Sequence, residues 1–168
     1  ADDTAAFARA AAYVSAQAVP VALEFPSGTY LYTVSPDWRI ADLTLLALGH
    51  VVLHHTGTGV GWRFGADGNV TNVYNVRMLG DFYLTGSAST TTGLYTRNLQ
   101  HAQIELEVAN CVTGFTIQGS VLCEFSLTCS INRRVMSLVP TTGVIIDQTS
   151  IVSRTTDCIF ALTMEGFA

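Results

Sequence analysis

The chain has 168 residues, a length that fits one domain with a sizeable core. Only 12% of the residues are charged and 49% are hydrophobic, which excludes an intrinsically disordered chain. The net charge of −5 argues against nucleic acid as a partner, because phosphate binding needs a basic patch, and no run of about eighteen apolar residues is present for membrane insertion.

The first predicted element is a helix within residues 1–19. Asp2, Asp3 and Thr4 precede an alanine-rich run, and their side chains can accept the first free N–H groups of a helix. Apolar residues then recur at helical spacing on one face: Phe7, Ala10, Ala11, Val14 and Ala18. Pro20 should end the helix. We expect this helix to cap an open end of a sheet, where strand edges and apolar side chains would otherwise meet water.

Short strands are predicted next, over residues 21–58. In residues 21–25 apolar side chains alternate with Ala22 and Glu24, which indicates a strand with one polar face. A turn at residues 26–28 leads to a strand at residues 30–34, a break follows at 35–37, and a strand-like tract runs over 43–55. Trp38 lies beside this break and is predicted to be the more exposed aromatic side chain, with packing against the N-terminal helix as the alternative.

Three motifs in this region resemble the start of a known family. They are D-D-T-A-A-F at residues 2–7, F-P-S-G-T-Y at 25–30 and L-T-L-L-A-L-G-H-V-V-L at 43–53. Together they look like the opening of the pectate-lyase-like right-handed parallel β-helix family, which includes bacteriophage tailspikes and surface depolymerases. The resemblance implies a right-handed parallel β-helix (solenoid), a homotrimer, and a place on a virion surface or in the extracellular space. The glycine-rich lead that usually precedes the aspartate pair is absent, so we expect the chain to be a fragment of a longer one.

The region 59–168 repeats one phrase, which independently favours stacked coils within a single domain. A threonine–glycine pair followed by a β-branched or aromatic run begins at each of four positions: Thr58, Thr92, Thr113 and Thr142. Hairpin turn signals are scarce, so the runner-up, an antiparallel β-sandwich, is disfavoured. Asn110, Asn132 and Asp157 lie between strands and are predicted to stack as a turn ladder.

Alternation within the coils predicts which side chains are internal. Ile104, Leu106 and Val108 share one face of a strand, and Trp62 and Phe64 share another. The four cysteines, at positions 111, 123, 129 and 158, lack the spacing of a zinc site and are predicted to be buried free thiols, with a disulfide as the alternative. The cysteine pattern does not assign the chain to an oxidising or a reducing compartment.

A row of polar residues is the predicted binding surface. Counting four residues from each repeat glycine aligns Arg63, Arg97, Gln118 and Asp147, and Tyr95 lies alongside. Arginine, amide and carboxylate groups at strand spacing suit the hydroxyls and carboxylates of an extended saccharide, and an aromatic ring supplies a stacking surface. A solvated strand face without a ligand is the alternative.

Three acidic residues are the candidate catalytic groups. Glu105 and Glu107 share one face of a strand, and Glu124 is expected beside Gln103 in the next coil. Two carboxyl groups at such distances are what a glycoside hydrolase needs, but a polar outer face or a subunit contact has the same pattern. No arginine that would suit a lyase lies near them on that strand.

The histidines do not predict a metal site. His54, His55 and His101 have no third ligand at convergent spacing, so structural roles are predicted and no metal or cofactor is expected.

The preferred function is recognition of a host surface polysaccharide by a viral or phage-like spike, with other spike or virion subunits as partners. The alternatives are a polysaccharide hydrolase or lyase of the same fold, and a structural shaft module.

Overall fold

The computed structural model describes residues 2–65, 72–130, 142–147 and 158–165, with residues 142–147 described by their backbone. Within these ranges one helix, α1 (Thr4–Ser15), precedes sixteen strands. The strands are β1 (Val21–Phe25), β2 (Gly28–Tyr32), β3 (Asp37–Trp38), β4 (Leu43–Ala47), β5 (Val51–His55), β6 (Gly59–Phe64), β7 (Val73–Tyr74), β8 (Arg77–Leu79), β9 (Phe82–Thr85), β10 (Thr90–Arg97), β11 (Leu99–Gln100), β12 (Gln103–Ala109), β13 (Thr113–Gln118), β14 (Glu124–Ser130), β15 (Thr142–Asp147) and β16 (Ile159–Glu165).

The described strands form three sheets in which every pairing is parallel. Sheet A has nine strands, with β1-β4-β8 and β2-β5-β9 as two arms that both reach β12, followed by β14 and β16. Sheet B has the order β15-β13-β10-β6-β3, and sheet C joins β11 to β7. Parallel neighbours cannot be joined by a tight hairpin, so the chain leaves each sheet and returns to it later. This arrangement excludes the antiparallel sandwich for the described residues.

Sheet A is interrupted in its early strands and continuous in its later ones. The tract predicted as one strand over residues 43–55 is divided into β4 and β5, and residues 77–85 likewise hold two strands, β8 and β9. β8 pairs with the first residues of β12, whereas β9 pairs with its last residues. At the interruption, the backbone N–H of Gly80 donates to Glu105 Oε2 at 3.0 Å. A carboxylate therefore satisfies a donor that has no strand partner there.

The inner faces of sheets A and B meet in one apolar core. Ile104, Leu106 and Val108 are buried, as their alternation predicted, and so are Trp62 and Phe64. The prediction that Trp38 is exposed was wrong. Its side chain is fully buried in β3, with its ring centroid 5.8 Å from that of Trp62. Its position beside a proline and charged residues suggested a loop, but β3 pairs with β6 and faces the core.

Helix α1 packs on this core through Phe7, Ala11 and Val14, which are its buried residues. The Phe7 ring lies edge-on to Tyr32 at 5.2 Å and to Trp62 at 5.5 Å between centroids. The helix ends at Ser15, before the predicted limit at Pro20, and Ala18 is exposed.

The polar residues at the start of α1 cap the helix only in part. Asp2 Oδ1 accepts the N–H of Thr4, the first residue of α1, at 2.8 Å, which confirms the predicted capping for Asp2. Asp3 occupies the N-cap position but makes no side-chain cap hydrogen bond, so the prediction was wrong for Asp3. Its carboxylate instead accepts the N–H of Leu31 at 3.0 Å, and the Thr4 hydroxyl accepts the N–H of Thr33 at 2.8 Å. These are donors on the side of β2 that faces away from β5. The start of the helix thus covers a strand edge as well as apolar side chains.

Of the three residues predicted to form a turn ladder, only Asn110 lies within the described part of the chain. Asn110 adopts a left-handed backbone conformation with φ of 58°, and its side-chain amide donates to Thr85 Oγ1 at 3.1 Å. Asn132 and Asp157 lie outside the described residues. A further stacked pair was not predicted: Asn75, also left-handed, donates through its amide to Asp42 Oδ1 at 2.8 Å. Asp42 and Asn75 lie just before the paired strands β4 and β8, so a side-chain hydrogen bond joins the turns that lead into these two strands.

Candidate functional site

The outer face of sheet B carries most of the predicted binding residues. In β6, β10 and β13 buried side chains alternate with half-buried ones, so Arg63, Tyr95, Arg97 and Gln118 point away from the core. These four residues are called the arginine–tyrosine strip below. The backbone of Asp147 pairs with Gln118 in β15, while its side chain lies outside the described part of the chain.

The alignment of this strip differs from the predicted one at Arg63. Arg97, Gln118 and Asp147 are register neighbours, as predicted. Arg63 was placed in that row incorrectly, because it pairs with Tyr95 and with Asp37. The register shifts between Thr90 and Thr92, which brings Gly61 rather than Gly59 beside Gly93. Arg63 stays on the outer face because the error is two residues, which preserves the alternation.

Contacts between the side chains join the strip into one surface. The Arg63 guanidinium carbon lies 5.3 Å from the centroid of the Tyr95 ring, a cation–π contact. The Tyr95 hydroxyl donates to Gln118 Oε1 at 2.8 Å, which sets the orientation of that carboxamide. Arg97 Nε is buried and has no hydrogen-bond partner among the described residues. The strip therefore contains the guanidinium of Arg63 held against a ring, the amide of Gln118 held by a hydrogen bond, and an Arg97 Nε–H without an acceptor among the described residues.

A cleft of about 410 Å³ adjoins the strip at Arg63. Its walls include Thr33, Ser35 and Thr58, and Asp37 lies beside Arg63 in the pairing of β3 with β6. The Asp37 carboxylate is already paired, with its Oδ2 2.6 Å from Nε of Arg39. The cleft is thus lined by hydroxyl groups, by Arg63 and by a carboxylate that is paired with Arg39.

The outer faces of the two large sheets differ in charge. On sheet B and the residue next to β3, the described charged side chains are three arginines and one aspartate: Arg39, Arg63, Arg97 and Asp37. On the strands of sheet A, the described outward charges are one arginine and four glutamates: Arg77, Glu24, Glu105, Glu107 and Glu124. A chain with a net charge of −5 therefore gathers positive charge on one face, where an anion is attracted.

The candidate catalytic acids lie on the outer face of sheet A. Gln103 pairs with Glu124, as predicted, and a cleft of about 300 Å³ is lined by Glu105 and Glu124. Glu105 accepts the N–H of Gly80, and Glu107 Oε1 accepts from the Ser130 hydroxyl at 3.0 Å. The two carboxylates on β12 are thus hydrogen-bonded in opposite directions along the sheet, to earlier and later strands.

The structure brings residues to this acidic face that the sequence did not suggest. Arg77 pairs with Gln103 and Tyr83 pairs with Glu107 across neighbouring strands. Burial and the Glu107 carboxylate raise the pKa of Tyr83. His50 Nδ1 lies 3.0 Å from Asp81 Oδ2, close to the same ring. Only the register reveals Arg77 and Tyr83 as neighbours of β12, because each lies more than twenty positions before the residue with which it pairs.

The buried histidine is structural. His55 Nδ1 lies 3.0 Å from Thr90 Oγ1, and Nε2 lies 3.2 Å from the carbonyl oxygen of Thr33. Within the described residues no group of three histidine, cysteine, aspartate or glutamate side chains is placed to hold a metal ion. The Thr33 carbonyl requires the N–H on Nε2, so Nδ1 accepts a hydrogen bond in the neutral ring.

Burial also lowers the pKa of His55, which makes stability depend on pH. The unfolded histidine takes a proton below about pH 6.5, whereas the folded one resists it, so the free energy of unfolding should fall as the pH drops below that value. Urea unfolding at pH 7.5 and 5.5 should show a larger loss in the wild type than in His55→Gln. The control is His101→Asn, an exposed left-handed position that asparagine tolerates. An equal loss in wild type and His55→Gln would contradict this assignment.

Comparison with protein families, curated sequences and solved structures finds no match to this chain. Among the described residues, no helix combines the length and hydropathy needed to cross a membrane. The function of this chain is therefore inferred from the geometry of its two outer faces.

Proposed function

We propose that this chain is a right-handed parallel β-helix capped by α1, and that its arginine–tyrosine strip binds an extended polysaccharide carrying carboxylate groups. The parallel pairings and the repeated return of the chain to sheets A and B support the fold. In such a fold neighbouring strands are about 4.8 Å apart, so outward side chains form rows along which a linear polymer can lie.

The observation that carries the binding proposal is the contact of Arg63 with Tyr95 and of Tyr95 with Gln118. A guanidinium held against a ring presents its N–H groups in a fixed fork, which matches a carboxylate. Aromatic rings also offer a surface for the apolar face of a sugar. Because these side chains are already ordered by their contacts, little conformational entropy is lost when a ligand binds.

The charge on each face favours an acidic ligand on sheet B rather than on sheet A. Among the described side chains, three arginines against one aspartate favour carboxylates at the strip, whereas four glutamates against one arginine disfavour them on sheet A. Asp147, which continues the row in β15, adds a second acidic residue to sheet B. Because Asp37 is paired with Arg39, it repels a carboxylate ligand less where the strip meets its cleft. Glu105 and Glu107 both have hydrogen-bonding roles within the sheet, so binding is preferred to hydrolysis as the function.

The resemblance of residues 2–7, 25–30 and 43–53 to phage tailspikes and depolymerases suggests where such binding is used. On that basis the chain belongs to a homotrimeric spike on a virion surface, together with other spike subunits, and its ligand is a polysaccharide of a host cell surface. The shaft alternative differs in having no ligand on sheet B.

Binding can be tested with Arg63→Gln on an array of carboxylated bacterial capsular polysaccharides, with neutral dextran for comparison. Loss of a charge-assisted hydrogen bond costs about 1.5–3 kcal/mol, so affinity for a bound acidic polymer should fall by about tenfold to a hundredfold. The control is Arg77→Gln, which makes the same charge change on the exposed acidic face of sheet A and should leave affinity within about twofold.

Three outcomes would contradict the proposal. They are no binding by the wild type across the array, equal loss in both variants, and equal binding of dextran. Release of reducing ends or of unsaturated uronate during the same incubation would instead support an enzyme, and Glu105→Gln with Glu107→Gln would then test the acidic face.

A further inference from the structure

Two of the four cysteines directly precede adjacent parallel strands. Glu124 pairs with Ile159, and the N–H of Ile159 donates to the carbonyl oxygen of Cys123 at 2.8 Å. The residue before Ile159 is Cys158, so Cys123 and Cys158 occupy equivalent positions at the entry to β14 and β16. Adjacent strands place their Cα atoms about 4.8 Å apart, which lies within the range of about 4.4–6.8 Å that disulfides span.

The sulfur atoms of Cys123 and Cys158 also lie close to the same segment of backbone, residues 120–121. Cys123 Sγ donates to the carbonyl oxygen of Val121 at 3.2 Å, and Cys158 Sγ donates to that of Ser120 at 3.4 Å. These acceptors are consecutive residues of one corner, and the two thiols are themselves within hydrogen-bonding distance of each other. Forming a bond between the sulfurs therefore needs only a change of side-chain torsion.

Exposure separates the two thiols. Cys158 is half-buried, whereas Cys123 is 1% exposed. Burial raises the pKa of the Cys123 thiol to about 12, so its thiolate is scarce at neutral pH. An oxidant therefore reaches Cys158 first, and Cys123 acts as the resolving thiol.

We propose that Cys123 and Cys158 are a redox modification site that forms an intramolecular disulfide with a low-molecular-weight disulfide such as oxidised glutathione. The Cys158 thiolate attacks one glutathione sulfur, which forms a mixed disulfide and expels the other glutathione as a thiolate. Cys123 then loses its proton and attacks Cys158 Sγ, which expels the second glutathione. Two protein thiols are oxidised and one glutathione disulfide is reduced to two thiols.

The cross-link would join the last two described strands of sheet A. It closes a loop that runs from residue 123 to residue 158 and includes β15. In the chain-entropy account, closing a loop of this length stabilises the folded state by restricting the unfolded one. Cys129 has no cysteine as a strand partner, because it pairs with Val108 on one side and with Met164 on the other.

The test uses the full chain incubated at pH 8 with oxidised or reduced glutathione, followed by alkylation and peptide mass spectrometry without reduction. We expect one disulfide, between Cys123 and Cys158, two alkylated thiols at Cys111 and Cys129, and a thermal midpoint about 5 °C higher than in the reduced form. Cys158→Ser should abolish both the cross-link and the shift, and the matched Cys129→Ser should keep them.

Four alkylated thiols in oxidised protein that retains its native circular dichroism would overturn the proposal, as would a cross-link between any other pair. The half-buried position of Cys158 makes its serine variant the safer one for folding. None of these outcomes depends on polysaccharide binding, so this inference stands or fails separately from the proposed function.

Discussion

Phe7→Ala should lower the free energy of unfolding by about 3–5 kcal/mol, the usual cost of removing a buried phenylalanine. Phe7 is 5% exposed and its ring contacts four aromatic neighbours on three strands: Phe25, Tyr30, Tyr32 and Trp62. Its removal leaves a cavity between α1 and the ends of both large sheets. Urea denaturation followed by circular dichroism measures the change.

A matched control lies on the same helix. Tyr13 is 61% exposed, so Tyr13→Ala removes an aromatic ring from α1 without opening the core and should change stability by less than about 0.5 kcal/mol. Similar losses in the two variants would mean that helix propensity, and not packing on the sheets, makes α1 stable. A small loss in Phe7→Ala alone would show that the helix does not cap the core.

Gly93→Ala should destabilise the chain by about 3 kcal/mol, at the upper end for overpacking. A Cβ atom at this position would clash with Val108 Cγ1 of sheet A and would lie 2.8 Å from the carbonyl oxygen of Gly114. Neither neighbour can move easily, because Val108 is a core residue on a continuous strand and the other contact is backbone. The loss should be seen as a lower midpoint of urea unfolding.

Gly61→Ala is the graded control for this prediction. Gly61 lies beside Gly93 in sheet B, but an added Cβ would lie 3.0 Å from the Gly93 carbonyl oxygen and 3.2 Å from the Leu84 Cδ2 methyl. The leucine can adjust, so the expected loss is about 1 kcal/mol. If Gly93→Ala were as stable as the wild type, sheets A and B could not approach each other as closely at Val108 as the structure shows.

The sequence predicted local orientation well, because alternation along a strand needs no knowledge of distant residues. The inward positions of Ile104 and Val108 followed from their spacing alone, and so did the outward position of Tyr95. Parallel pairing was also predictable, since turn signals for hairpins were scarce. Where the intervening chain was short and regular, as from Gln103 to Glu124, even the register was predicted correctly.

The remaining features depend on distant contacts that no local pattern reports. Arg63 was misaligned because two glycines lie close together in β6 and a register shift follows in β10. Trp38 is buried because β3, only two residues long, lies against β6. Asp3 satisfies the backbone of Leu31, so its role is not evident from its helix-capping position. Arg77 reaches the acidic face from another strand.

Register is kept although the length of chain between paired strands changes. Paired residues are 21 positions apart from Gln103 to Glu124 but 35 apart from Glu124 to Ile159, and both pairs belong to the same sheet. Length differences are therefore absorbed between the strands, which leaves the outward rows intact. Evolution can insert or delete residues at these connections without moving the strip, and a protein engineer could graft peptides there for the same reason.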